Sequence, residues 1–142
     1  MHFVGFLHKE VAEEYGMFVA ILSEARAVVA ATNSDIRPLL YVESGYVGCP
    51  VIANRKFAIP EIVEDRRTGL LSEEASARAL ATAMQWVLEP TNGYQEMRCA
   101  ARKKMRVEHS RTKFEQRLHA YVSALASEQE VEGRAPKSGK AK

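Results

Sequence analysis

Between Ala27 and Asn54 the chain reads as a strand, a loop, a helix and a second strand, and that order admits few folds. Ala27 to Ala31 is a short apolar run of strand length, and it opens into Thr32-Asn33-Ser34-Asp35, a cluster of turn and cap residues. Pro38 suits a first helical turn. The helix is expected to run to about Val47, stop at Gly48, and pass the chain through Pro50 to a strand over Val51 to Asn54. Two strands joined by a crossover helix pair in parallel, and ligands of open parallel sheets sit outside the carboxyl ends of the strands. The loop from Thr32 to Asp35 is therefore where a site is expected.

The flanks extend the same alternation. Phe3 to Leu7 reads as a short strand with Gly5 inside it, and Lys9 to Ser23 has helical apolar spacing at Val11, Tyr15, Phe18, Val19 and Leu22. After Asn54, a short helix or turn is expected near Pro60 to Val63 and a brief strand at Gly69 to Leu71. Three amphipathic helices follow, about Glu73 to Leu88, Tyr94 to Glu108 and Lys113 to Ser127, with Trp86, Val87 and Leu88 as core candidates. Val131 to Lys142 has no apolar anchors, so the reading is a domain over 1–127 and a disordered tail over 128–142. The fold class is α/β with a parallel sheet, flanking helices and extra C-terminal helices. With 142 residues and 46% apolar content, the chain can build one compact domain and is too short for two of ordinary size.

Composition removes several function classes. A formal net charge of +2 makes no general case for nucleic acid or an acidic membrane as partner. The run Arg98, Arg102, Lys103, Lys104 and Arg106, with Met97, Ala101 and Met105 on another face, reads as the solvated side of an amphipathic helix, because no aromatic residues interleave with the charges. Cys49 and Cys99 lack metal-ligand spacing and the four histidines are scattered, so no metal is expected and the cysteines read as reduced thiols of a cytosolic protein. No apolar run reaches ~18 residues, which argues against an integral membrane segment, and the first residues lack a secretory signal.

Chemistry concentrates in Asp35-Ile36-Arg37-Pro38-Leu39-Leu40-Tyr41-Val42-Glu43, two carboxylates separated by seven residues. One carboxylate in a loop and another in the first half of the next helix can face one crevice, while the helix start between them offers unpaired N–H groups to an anion. This stretch, with Gly48-Cys49-Pro50-Val51-Ile52-Ala53, Ile59-Pro60-Glu61-Ile62-Val63 and Asp65-Arg66-Arg67-Thr68-Gly69-Leu70-Leu71, resembles the C-terminal, donor-binding domain of retaining GT-B glycosyltransferases of the group 1, or family 4, kind. That family has Glu-x7-Glu after a strand, a Gly-x-Pro-Val-Ile-Ala segment, Gly-Gly-Ile-Pro-Glu-Ile-Val and Asp-Gly-x-Thr-Gly-Leu-Leu. The likeness covers roughly residues 2 to 125, and it implies a partial Rossmann-like sheet, the C-terminal half of a GT-B enzyme.

The resemblance also implies roles. Glu43 matches the carboxylate that accepts hydrogen bonds from the nucleotide ribose; as an ordinary helix residue it would pair with a nearby Arg or Lys. Asp35 matches the catalytic glutamate that stabilises charge at the reacting sugar carbon, with a side chain one methylene shorter; its plain alternative is a helix N-cap. Arg37-Pro38 replaces Phe-Gly, so the proline removes an amide donor. Arg37 can supply a guanidinium to the diphosphate, with the backbone amides of Leu39 and Leu40 beside it, or it can simply face solvent. Phe57-Ala58 stands where the family has Gly-Gly. Glu61 is carried over as a stabiliser of a loop or helix start, and His8 falls near the nucleotide base, or is a surface histidine.

A family domain begins earlier, with a Gly-Arg-Leu strand and a Lys-bearing helix that neutralise the diphosphate. Against that pattern this chain is matched only from the Phe3-Val4-Gly5 piece, and the resemblance therefore implies the expectation of an N-terminally truncated domain, a truncated reading frame or a degenerate paralogue. The expected function is binding of a nucleoside diphosphate sugar for retaining transfer to an acceptor hydroxyl, with the isolated chain inactive and no cofactor required. The alternatives are a non-catalytic nucleotide-binding or docking module that pairs with a separate N-terminal half, and a vestigial domain. Expected partners are a nucleotide sugar and either that half or a second copy, since an uncovered sheet edge favours association; the expected location is the cytoplasm.

Overall fold

A computed structural model describes residues 2–133 except 31, 33, 75 and 90–92, with no side-chain description beyond residue 126. The described elements are α1 (Ala12–Glu24), β1 (Val28–Ala30), α2 (Leu39–Val47), β2 (Val51–Asn54), α3 (Ile59–Ile62), β3 (Gly69–Ser72), α4 (Ala77–Leu88), α5 (Tyr94–Glu108) and α6 (Arg111–Gly133). The three strands form a parallel sheet in the order β1-β2-β3, with Val28 opposite Val51 and Ile52 opposite Leu70. Mixed helices and a parallel sheet make this a Rossmann-like α/β fold, as the alternation of apolar runs predicts. The chain divides into two units, Met1–Val107 and Glu108–Lys142.

Within the first unit, every residue of β2 is buried, because the sheet is covered on both faces. Strand alternation sends Val51 and Ala53 into a cluster with Tyr41, Ile59, Ile62, Val63 and Met105. Ile52 points the other way, into a cluster with Leu70, Val87, Tyr94 and Met97. Helix α5 therefore serves both faces, with Tyr94 and Met97 near its start and Met105 near its end. Each fully buried aliphatic side chain contributes about 2 kcal/mol. The two buried phenols find backbone acceptors, Tyr41 Oη donating to Ala30 O at 3.1 Å and Tyr94 Oη to Arg26 O at 2.7 Å.

Gly48 ends α2 at φ +78°, and the amides of Gly48 and Cys49 turn back onto the Gly45 and Ser44 carbonyls. The arginines of α5 complete this end of the molecule. Arg98 donates to Gly48 O at 2.9 Å and to Ser23 O at 3.2 Å, and Arg102 donates to Val47 O at 2.6 Å. Lys104 reaches Glu64 at 2.7 Å. The basic run is thus not simply a solvated face: three of its cations are engaged by other elements, and Lys103 and Arg106 are exposed.

Other boundaries differ from expectation for local reasons. Phe3 to Leu7 is not a strand: no strand lies beside it among the described residues, Gly5 sits at φ +79°, and Phe3 and Phe6 are 86% and 82% exposed. Helix α1 starts at Ala12 rather than Lys9. Helix α4 starts at Ala77 rather than Glu73 because Ser76 caps it, its side chain accepting from the Ala79 amide at 3.2 Å. Leu88, expected in the core, is exposed at the end of α4. In the second unit, α6 continues through residues 128–133, where a disordered tail was expected; residues 134–142 of that tail lie outside the described residues. Among the described residues no helix is long and apolar enough to cross a membrane.

Two glycines sit where a side chain would collide, with different consequences. A Cβ on Gly69 would stand 2.4 Å from the backbone oxygen of Val51 and 2.7 Å from Val63 Cγ1, and one on Gly45 would stand 2.4 Å from Cγ of the buried Met105. Thermal denaturation is expected to show both Gly69→Ala and Gly45→Ala destabilised, with Gly69→Ala losing roughly 3 kcal/mol or more because its Cβ meets strand backbone, and Gly45→Ala losing less because alanine favours the helix and the clash falls on a side chain. Comparable losses would show that the β2–β3 contact is not as tight as described. The hydrogen bond from Lys104, then that from Arg67, holds the Glu64 carboxyl below its ordinary range against partial desolvation. Its stabilising effect is complete above the ordinary carboxylate range and disappears as pH falls through the lowered folded value. The Glu64→Gln variant is therefore expected to lose less stability on acidification than the parent; parallel acid limbs in urea titrations would contradict the assignment.

Candidate functional site

At the carboxyl end of β1 the chain runs through Thr32, Ser34 and Asp35 to the start of α2. The Thr32 hydroxyl accepts from the amides of Ser34 at 3.4 Å and Asp35 at 3.1 Å, and Asp35 Oδ1 accepts from the Arg37 amide at 3.2 Å. Asp35 is not the helix cap, since Pro38 occupies that position and no side chain caps α2. The amides of Leu39 and Leu40 therefore open the helix without a capping side chain, and with no acidic residue in the first turn. Proline directs the chain into the helix; it also leaves this end electropositive.

Glu43 lies one turn into α2. Its Oε1 accepts from Lys9 Nζ at 2.5 Å, and the same ammonium sits 4.4 Å from the centre of the Phe18 ring. The pairing joins residues 34 positions apart. Lys9 was absent from the expected site; its place after the first apolar run gave no signal without knowledge of how α1 packs on α2. His8 precedes it, its ring nitrogen Nδ1 3.4 Å from Glu10 and its ring edge-on to Phe6. Its backbone amide donates to Glu14 at 2.6 Å. Arg37 extends across the loop toward α3, 3.7 Å from Glu61.

The structure thus brings Lys9 to Glu43, and Asp35 and Arg37 to the same helix start. Burial, and then the Asp35 charge, push the Tyr41 phenol above its ordinary value, so Asp35 acts electrostatically on the base of the α2 turn. Asp35, Arg37 and His8 are exposed, and Leu39 is exposed too, whereas Leu40 and Glu43 are half-buried. The result is an open surface carrying two carboxylates, with Glu43 paired to Lys9, and not an enclosed pocket. Among the described residues no three His, Cys, Asp or Glu side chains gather as a metal site.

Two further features border the strand ends. Asn54 closes β2 with its side chain 1% exposed and neither amide atom hydrogen-bonded. Such a group costs about 1–3 kcal/mol. Beyond it, Phe57 takes φ +51°, and Arg66 takes φ +59°. Glycine stands at both positions in the resembled pattern Gly-Gly-Ile-Pro-Glu and Asp-Gly-x-Thr-Gly, and glycine accepts the left-handed backbone with least strain. Phe57 is largely exposed, so replacing it sacrifices little packing. The expected outcome is a small rise in melting temperature for Phe57→Gly and a fall for Phe57→Val, whose branched Cβ tolerates that φ least. A fall for glycine would mean that the ring, not the backbone, governs this turn.

A family model described as glycosyl transferases group 1 matches residues 1–104. No curated protein matches the chain.

Proposed function

The chain belongs to the group 1 glycosyl transferases, and from that membership we propose that it binds a nucleoside diphosphate sugar as the donor unit of a retaining enzyme. The observation that carries this reading is the uncapped start of α2 beside the Lys9–Glu43 pair, at the carboxyl end of a parallel strand. A diphosphate needs backbone amides and cations, and a ribose needs a carboxylate acceptor. In this reading the Leu39 and Leu40 amides and Arg37 meet the diphosphate, Lys9 adds a second cation, Glu43 accepts from the ribose hydroxyls, and His8 borders the base. The unpaired amide of Asn54 supports a polar ligand at the strand ends.

Retaining transfer breaks the bond between the sugar's anomeric carbon and the diphosphate oxygen, forms a bond from the acceptor oxygen on the same face, and delivers the acceptor proton to the departing diphosphate. Asp35 would stabilise the positive charge that develops at that carbon. Its short side chain, and a proline where glycine would supply an amide, weaken the machinery that this chain can offer alone, so the isolated chain is proposed to bind donor without turning it over. No cofactor takes part, and the reaction is assigned to the cytoplasm. A second reading, a non-catalytic module that docks on a separate half or a second copy, is favoured by the edge position of β1, where Val29 is 42% exposed.

Thermal-shift titration of the full chain with nucleoside diphosphates and their sugars tests the donor reading. A ligand that binds only the folded state raises stability by RT ln(1 + [L]/Kd), so stabilisation is expected in the parent. It should fall at least tenfold in apparent affinity in Glu43→Ala and in Arg37→Ala. No shift at millimolar ligand, or equal shifts in the variants, would leave the docking reading in its place.

A further inference from the structure

A cavity of about 420 Å³ lies between β3 and α4, and none of its lining residues belongs to the open surface at the start of α2. Its apolar wall is Leu70, Ala83 and Trp86; its rim carries Arg66 from the turn before β3 and Arg78 from α4. Volumes of this size suit small ligands.

The turn that presents Arg66 is tightly built. Asp65 Oδ1 accepts from the Leu71 amide at 2.8 Å, the Arg66 amide donates to Gly69 O at 2.8 Å, and the Thr68 hydroxyl accepts from the Glu64 amide at 2.8 Å. Arg66 is held there at φ +59°, a conformation that a non-glycine residue adopts at a cost and that recurs at ligand sites. Among the described residues neither the Arg66 nor the Arg78 guanidinium has an ion pair or hydrogen bond. Of the two carboxylates on the rim, Asp65 already faces Arg55 at 3.5 Å. Glu74 is then the one rim carboxylate set against two guanidiniums.

We infer that this cavity is a second binding site, for an amphiphilic anion: a phosphate or carboxylate head group joined to an apolar body. The guanidiniums of Arg66 and Arg78 grip the head group with charge-assisted hydrogen bonds, and the apolar body lies against Trp86, Ala83 and Leu70. An apolar molecule without charge leaves both cations unused, and a bare anion gains nothing from the wall. The site is independent of the donor reading, because none of its residues takes part there.

Trp86 is the one tryptophan of the sequence, so its fluorescence reports occupancy directly. The full chain is titrated with octyl phosphate, octanoate, octanol and inorganic phosphate. A saturable change in Trp86 emission is expected with octyl phosphate or octanoate, the two arms telling phosphate from carboxylate preference, with octanol and inorganic phosphate binding at least tenfold more weakly. Arg66→Gly removes one guanidinium while relieving the backbone, so it remains folded; it and Arg78→Ala should each weaken binding fivefold or more. Absence of a saturable change with both amphiphiles overturns the inference. Equal binding of octanol, or parent-like affinity in both variants, overturns it as well.

Discussion

Helix α2 is positioned from its far end. Neither α1 nor α2 carries a basic residue in its last turn, yet the carbonyls at those two ends converge on cations from α5. Arg98 spans Ser23 O and Gly48 O, and Arg102 takes Val47 O, so one helix closes the C-terminal ends of two others. Charge-assisted hydrogen bonds of this kind contribute about 1.5–3 kcal/mol each. They also oppose the negative ends of both helix dipoles. With its C-terminal end tied to α5 and Tyr41 anchored to the β1 carbonyl at Ala30, α2 presents its N-terminal amides at the carboxyl edge of the sheet. The candidate site depends on that orientation, although none of the clamping residues lies in it.

The sheet makes the same point from the core. β2 is buried on both faces, and α5 contributes side chains to each cluster, so the arginine clamp and the apolar core are two uses of one helix. Met97 and Met105 fill the core while Arg98 and Arg102, on the same helix, reach carbonyls. The basic run serves internal capping because the helix lies across the carbonyl ends of α1 and α2.

Much of this was legible from residue patterns. β2 and α5 match the expected bounds, because Pro50 and Gly48 mark one and a clear apolar periodicity marks the other. The β1–α2–β2 unit and the placement of Asp35, Arg37 and the Leu39 and Leu40 amides at one helix start follow from turn and cap residues alone. What was not legible depends on distant packing. Phe3 to Leu7 has strand composition but no neighbouring strand among the described residues, and composition cannot report that. The Lys9–Glu43 pair is the Arg or Lys pairing that the sequence offered as the plain alternative for Glu43, but it and Arg37–Glu61 join residues far apart in sequence, so the partner could not be named. The left-handed turns at Phe57 and Arg66 fall where the resembled pattern carries glycine, which that pattern implies and helix or strand propensity does not.

The account stands or falls on where a nucleotide sits. Amide-resolved NMR titration of the full chain with a nucleoside diphosphate locates it residue by residue. The account predicts shifts centred on Arg37, Leu39, Leu40 and Glu43, with Lys9 responding and the amides around Trp86 unchanged. Shifts confined to the β3–α4 region, or none at millimolar nucleotide, would contradict it.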